Sequence, residues 1–553
     1  MGNLANSYSA LGEYQKAKEL QTIVLKKCKH GLGENHPHTL DTMGNLARSY
    51  SNLGEYQKAQ ELECIVLEMQ KKVLGENHSD TLRTMGNLAI SYSHLGEHQK
   101  AKELKAIVLE KQKQVLGDNH PGTLHTMSAL ACSYSTLGEY QKAQDLNVIV
   151  LEKQKQLLGD SHPDTLLTMG SLASSYSHLG GHREAKQLNV IVLEKQKQLL
   201  GDNHPDTLQC MGNLARSYSN LGEYQAAKEL EVMVLEKKKQ VLGDSHPDTL
   251  HTMGNLAISY SDLGEHEDAK ELMSVVLKKQ KQLLGENHPD ILHTMSNLAV
   301  SYSNLGEYQR AKELEGVVLE KQQEVLGENH PNTLQTMSNQ ASLYATLGEH
   351  RRAKDLMDVV LEKQKQVLGE NHPSTLCTVG NLANSYSALG EHKKAKELMG
   401  VVLKKQKQVL GENHSDTLRT MGNLAISYSH LGEHQKAQEL QVIVLEKEKQ
   451  VLGDDHPSTL LTMGNLAYLY SNSGEHQKAK DLTLIVLEKR KQVLGENHPD
   501  TLHTMSNLAS LYFDLGEHQK AKEFRVLVWE KWKQVLGNNY PETLKIEELL
   551  GSM

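Results

Sequence analysis

The chain has 553 residues, 60 basic and 69 acidic, for a formal net charge of −9 with both signs mixed throughout. That balance leaves no basic stripe to follow a phosphate backbone, which argues against nucleic acid as a partner. No apolar run approaches the roughly 18 residues of a membrane span and no charged-then-apolar leader opens the chain, so no membrane is expected either.

From Met1 the chain reads Met-Gly-Asn-Leu-Ala, and the same five residues return at Met43, Met85, Met211, Met253, Met421 and Met463. Close variants stand at Met127, Met169, Met295, Met337, Val379 and Met505, so thirteen units of 42 residues fill positions 1–546. A fixed period of this length predicts a solenoid, in which each unit stacks on the next and none buries its apolar face alone. One elongated all-α domain is expected instead of several globular ones, with residues 547–553 as a truncated terminal helix. The Met1-Gly2 start does not make a myristoylation signal, because residue 6 is Asn6 and the same letters recur inside the chain. Cys28, Cys64, Cys132, Cys210 and Cys377 fall at five different places in the repeat, unlike a disulfide or zinc framework. They read as isolated thiols of a reducing compartment and predict a cytoplasmic location.

Counting places from each Met, unit six has apolar residues at places 1, 4, 5, 8 and 11: Met211, Leu214, Ala215, Tyr218 and Leu221. At about 100° per residue they share one side of a helix. That helix begins near Asn203-His204-Pro205-Asp206-Thr207. Proline suits a first turn whose N–H groups have no partner, and Asp206 complements the positive helix end. It stops at Gly222, a place that holds glycine in all thirteen units from Gly12 to Gly516. A second helix follows over about Tyr224 to Leu242, with Ala227, Leu230, Val234, Leu235, Val241 and Leu242 inside. Lys228, Glu229 and the run from Glu236 to Lys239 face outward, and Gly243, again in every unit, ends it. Each unit is thus a helical hairpin, and the two glycines are turn residues with no phosphate-binding motif around them.

Leu214-Ala215, Tyr218, Leu221-Gly222, Ala227 and Val234 stand at the signature spacings of the tetratricopeptide repeat, which the chain resembles over essentially its whole length. Met211 occupies the place where that family often has Trp. The 42-residue unit and its Leu-Gly-Asp/Glu-Asn-His-Pro loop resemble the subtype found in kinesin light chains and in the C-terminal arms of NACHT and NB-ARC signalling ATPases. The resemblance implies a right-handed superhelical solenoid of helix-turn-helix repeats with a concave, ligand-binding groove. Neither an N-terminal heptad segment nor an ATPase motif is present, and the first unit lacks the Pro-Asp-Thr-Leu start of the others. A piece of a longer array is therefore expected, joined to an upstream nucleotide-binding signalling domain or pairing with a kinesin heavy chain.

Comparison of the units separates constant from variable places. Place 6 holds Arg48, Ile90, Arg216, Ile258 and Tyr468 among others, place 10 holds Asn52, His94, Thr136 and His178, and place 41 holds Asp41, Arg83, His125 and Leu167. On a helix these three places lie together, opposite the buried stripe. The resemblance implies that this face lines the groove; it is either a ligand surface diversified unit by unit or drift at solvated places, since places 21 and 22 also vary. Place 3 is nearly constant, with Asn45, Asn87, Asn213, Asn255, Asn297, Asn339, Asn381, Asn423, Asn465 and Asn507 forming a ladder interrupted by Ala129 and Ser171. An amide donates and accepts, so the ladder can hold an extended peptide backbone regardless of its sequence. Hydrogen bonds between amides of adjacent units are the alternative.

Twelve histidines precede a helix start, from His36 to His498, and eight more stand at place 14. Zinc needs several ligands within about 2 Å of one ion, and one histidine per unit at a fixed place is instead a loop-ordering group. No metal, cofactor or catalytic constellation is expected. Gln340 in place of a buried Leu and Ser473 before Gly474 predict weaker stacking in units nine and twelve. Phe513, Phe524, Trp529 and Trp532, all in unit thirteen, are expected to seal the last face with Leu544, Ile546 and Leu549. The functional expectation is a non-catalytic scaffold that binds an extended peptide or protein, as the recognition arm of a larger signalling protein or, alternatively, as a kinesin-light-chain-like cargo adaptor.

Overall fold

The structure is a computed structural model that describes residues 2–11, 13–537 and 540–551; Met1, Gly12, Met553 and the Leu549 side chain lie outside the described residues. Twenty-seven helices and no strand are found among the described residues. In unit six the first helix runs Pro205–Asn220 and the second Tyr224–Leu242, as the residue pattern predicts.

The loop that opens each unit is ordered by its own side chains. Gly201, at φ +85°, ends the preceding helix, and His204 Nδ1 then accepts the Asp206 backbone N–H at 3.2 Å. The histidine is therefore the N-cap, Pro205 supplies a first turn with no N–H to satisfy, and Asp206 sits at the positive helix end. The equivalent threonine ties the loop from inside, as where Thr81 Oγ1 donates to the Gly75 carbonyl at 2.8 Å. At the far end of the helix Gly222, at φ +71°, lets the Glu223 N–H reach back to the Tyr218 carbonyl at 2.9 Å. This reversal satisfies a terminal carbonyl and starts the second helix at once.

Packing explains why the unit cannot stand alone. The core of unit six joins Leu208, Met211 and Leu214 of the first helix to Val234 of the second and to Leu193 of unit five. Ala17, Ala227 and Ala521 are fully buried, where a larger side chain would hold the two helices apart. First helices of neighbouring units touch one another, as Pro121–Thr136 with Pro163–His178 and Pro373–Ala388 with Ser415–His430, more closely than second helices do. The stack consequently bends with its first helices inside. On the outer side Lys228 pairs with Glu265 of the next unit at 2.6 Å and lies 4.6 Å from the Tyr260 ring centre. Such partly exposed pairs contribute about 1 kcal/mol or less each.

The irregular units keep regular hairpins. In unit nine Met357, 2% exposed, joins Ala341, Leu361 and Leu382 in one cluster beside the place where Gln340 offers no apolar side chain. Ser473 donates to the Tyr470 carbonyl at 2.9 Å and accepts from Gln438 at 2.9 Å, so its hydroxyl is bonded. At the last unit Trp532 is fully buried against Leu508, Val528 and Ile546 and stacks on Tyr540 with ring centres 5.2 Å apart. Ile546 belongs to a terminal helix, Pro541–Gly551, that lies where a fourteenth first helix would lie, whereas Leu544 and Phe513 are exposed. No helix among the described residues is long and apolar enough to cross a membrane.

Candidate functional site

Places 41, 3 and 6 form one continuous wall on the first helices. Arg83 Nη2 donates to Asp41 Oδ1 of the preceding unit at 3.1 Å, and Arg419 lies 3.6 Å from the Cys377 sulfur in the same relation. Within one first helix the wall also bonds along its length. Gln335 donates to Asn339 at 3.0 Å, Asn297 to His293 at 3.3 Å, and Arg216 to Asn213 at 3.2 Å. Asn45, Asn87, Asn213, Asn255, Asn297, Asn339, Asn381, Asn423 and Asn465 are half-buried, while Asn507, Arg48, Arg216 and Tyr468 are exposed. A recess of about 580 Å³ opens on this wall, where His251, Asn255, Ile258 and Asn297 face Tyr56 and His94 of a distant part of the chain. A second recess, again about 580 Å³, is lined by Asn465, Tyr468 and Asn507. The arrangement offers paired donors and acceptors at regular intervals with side chains of changing size and charge between them.

Place 21, whose variation resembled that of the wall, is instead buried between units. Ser49 donates to Gln21 at 2.6 Å, Asn147 to Ser175 at 3.2 Å, and Ser259 to Glu231 at 2.7 Å, each pair joining one unit to the next. Burial pushes the carboxyl of Glu231 up to about 7, and the same cause raises Glu63 and Glu315 to about 7. Variation here is a matter of fit between neighbours and says nothing of ligand.

A third arrangement has no counterpart in the sequence reading. The superhelix returns on itself, and the glycine turn of one unit meets the histidine loop of a unit on the next turn, His-Pro in every case but His414-Ser415. His330 Nε2 donates to the His94 carbonyl at 3.0 Å, and the pairs His372 with Thr136, His414 with His178, and His456 with Asn220 repeat this at 3.2, 2.8 and 3.3 Å. His288 and His498 reach Asn52 and Asp262 at 3.4 and 3.3 Å, and all six bonds span 236 residues, between five and six units. Because Nδ1 already accepts the cap N–H, Nε2 carries the proton and donates. The partner glycine is pressed against the proline: a Cβ on Gly54, Gly96 or Gly138 would lie 2.6, 2.5 or 2.2 Å from Cδ of Pro289, Pro331 or Pro373. His94, a residue expected in the groove, is placed at this seam, with its ring stacked 4.6 Å from Tyr56 and its carbonyl engaged. The available signal was the constancy of His at place 36 and Gly at place 12, which each also have a local role.

Burial lowers the imidazole pKa of His330, His372, His456 and His498 below its usual value. A depressed histidine stabilises the fold above its unfolded value of about 6.5, and that contribution is lost as pH falls. Acid also places a proton on Nδ1, where the N-cap bond forms. Small-angle scattering should show the largest dimension growing between about pH 7.5 and about pH 5 while helical circular dichroism holds; an unchanged dimension would show that the seam does not titrate.

Two family profiles, both described as tetratricopeptide repeat, match the chain. One covers residues 1–64, 91–147 and 416–482, and the other covers 165–206, 207–248, 249–290, 291–332, 333–374, 378–416 and 501–542. No curated protein matches. Among solved structures, two forms of a putative kinesin light chain with nearly identical TPR-like repeats from Podosopora anserina are 33% identical, each with a TM-score of 0.33. The match covers 37% of this chain and 97% or 98% of theirs. BtubC (BKLC) from P. vanneervenii is 17% identical at a TM-score of 0.34, over 42% of this chain and 91% of its own. With the profiles covering most of its length, the chain belongs to the tetratricopeptide repeat family, whose arrays are protein-interaction scaffolds.

Proposed function

We propose that the inner wall binds an extended peptide or protein segment, without catalysis, with the asparagine ladder holding the backbone while places 6 and 41 read side chains. The observation that supports this most directly is the half-buried row of amides next to exposed, unit-specific residues such as Arg48, Arg216, Ile258 and Tyr468. An amide in that position bonds a peptide group of any sequence, and recesses beside it accept side chains at intervals. The array then acts as the recognition arm of a larger signalling protein. A motor-cargo adaptor is the second reading, favoured by the 42-residue unit and its Leu-Gly-Glu-Asn-His-Pro loop; it calls for short acidic peptides containing Trp or Tyr.

A displayed library of extended peptides tests both. Selection on the intact chain should return peptides whose binding falls at least about tenfold with Asn255→Ala and Asn297→Ala together, roughly the effect of two lost hydrogen bonds, while the helical signal stays unchanged. Affinity unaltered by that pair would remove the wall as the binding surface. Enrichment of acidic aromatic peptides would favour the adaptor reading.

A further inference from the structure

Place 28, on the second helix of each unit, is covered by the first helix of the next. Glutamine stands there in eight of the thirteen units, from Gln70 to Gln406, but unit six has Lys238 and unit twelve has Arg490. Both cations are buried, 5% and 7% exposed. A charge taken out of water is costly unless hydrogen bonds and an opposite charge replace what it loses. Lys238 spends its ammonium on Thr252 Oγ1 at 3.0 Å and the Asp248 carbonyl at 3.4 Å. Arg490 makes the same two contacts with Nη1 alone, to Thr504 Oγ1 and the Asp500 carbonyl, both at 2.8 Å. Its Nε is buried with no partner, and no acceptor is bonded to Nη2 either. No carboxylate pairs with it among the described residues: Asp500 attracts it only at longer range, and Asp514 lies 3.9 Å from His476 Nδ1.

The same guanidinium lines the recess of about 580 Å³ whose walls carry Asn465, Tyr468, His503 and Asn507. Units twelve and thirteen form its two sides, and the recess over Gln280 in units seven and eight is built from the equivalent places, so its form belongs to the repeat. What unit twelve adds is an uncompensated positive charge in the floor. We propose that Arg490 is the seat for a carboxylate of the bound partner, either an Asp or Glu side chain or a chain terminus. The carboxylate takes Nη2 and, with a small swing of the guanidinium toward the recess, Nε, a fork that matches its two oxygens. The neutral glutamines at this place leave the other recesses without that preference.

The proposal rests on the reading of the inner wall as a peptide-binding surface, and it is tested on the intact chain with single capped residues, too short to span the amide ladder. Trp529 and Trp532 are the chain's only tryptophans, and the Trp532 ring lies 5.0 Å from that of His503, so tryptophan fluorescence reports on this recess. N-acetylglutamic acid amide, N-acetylalanine and N-acetylglutamine amide are each titrated at constant ionic strength to roughly 50 mM, enough for the millimolar affinity expected of so small a ligand. The fluorescence should saturate with an acid and stay flat with the neutral glutamine amide. A stronger response to the glutamic acid amide assigns the seat to a side chain, and a stronger response to N-acetylalanine assigns it to a chain terminus. Arg490→Gln installs the residue that eight units carry, so helical circular dichroism should be unchanged while acid binding weakens at least about tenfold. No response to either acid, an equal response to the glutamine amide, or acid binding that survives Arg490→Gln would overturn the proposal. Such a result beside a positive outcome for Asn255→Ala and Asn297→Ala would remove the carboxylate seat alone; the reverse would leave an anion seat on a wall that does not hold a peptide backbone.

Discussion

Gly138→Ala will destabilise the chain more than Gly390→Ala, although the two glycines hold the same place in their units. Both are at positive φ, +71° and +79°, so both substitutions carry the left-handed strain of roughly 1 kcal/mol that a Cβ brings. At Gly390 nothing lies within 4 Å of the new atom, whereas at Gly138 it meets Pro373 Cδ at 2.2 Å and Cγ at 2.9 Å. The proline is fixed by its ring and by the His372 cap beside it, so relief requires the two superhelical turns to move apart. Overpacking of this kind costs roughly a further 1–3 kcal/mol, and separation also releases the His372 bond to the Thr136 carbonyl. Denaturant midpoints should rank wild type above Gly390→Ala above Gly138→Ala, and scattering should show an extended particle for Gly138→Ala alone. Equal midpoints for the two variants would mean that the seam adds nothing to stability.

Glu231→Gln and Glu315→Gln together should stabilise the array in alkaline solution and do little in acid. Both carboxyls are nearly inaccessible, 6% and 3% exposed, and burial raises each from 4.5 to about 7. A raised folded pKa means that the folded chain holds a proton that the unfolded chain releases. The stability associated with it is complete below about 4.5 and is lost as pH rises through about 7. At 1.36 kcal/mol per pKa unit the penalty approaches an order of 3 kcal/mol for each carboxylate by about pH 8. Glutamine removes the charge and keeps an acceptor, and Gln21 already accepts from Ser49 at the same place in unit one. The gain should therefore grow from about pH 5 to about pH 8. A gain independent of pH would show that charge burial is not its source.

These effects mark where sequence reasoning ends. Helix bounds were legible because each depends on neighbours a few residues away: Pro205 and Asp206 at one end, Gly222 at the other, and the Met211-Leu214-Tyr218 stripe between. That places 41, 3 and 6 share one helix face follows from helical spacing, whereas that this face lines the inner wall was implied only by the family resemblance. The burial of place 21 was not legible from its variation, since Glu231 and Asn147 look like solvated residues until Ser259 and Ser175 of the next unit cover them. The seam was out of reach, because its register depends on the small rotation between units summed over more than five of them. No local pattern encodes that sum, and the same His-Pro loop is docked at His330 and open at His120.

The docked loops bear on how such a chain can change its length. A unit copied or deleted whole brings or removes one ring and one matching turn at once, so every remaining contact finds an equivalent partner at the same 236-residue spacing. Unequal crossing-over within the gene would thus alter the number of storeys while leaving each junction sound. Divergence is then absorbed by paired changes between adjacent units, as where Arg83 meets Asp41 on the inner wall or Glu231 meets Ser259 beneath it.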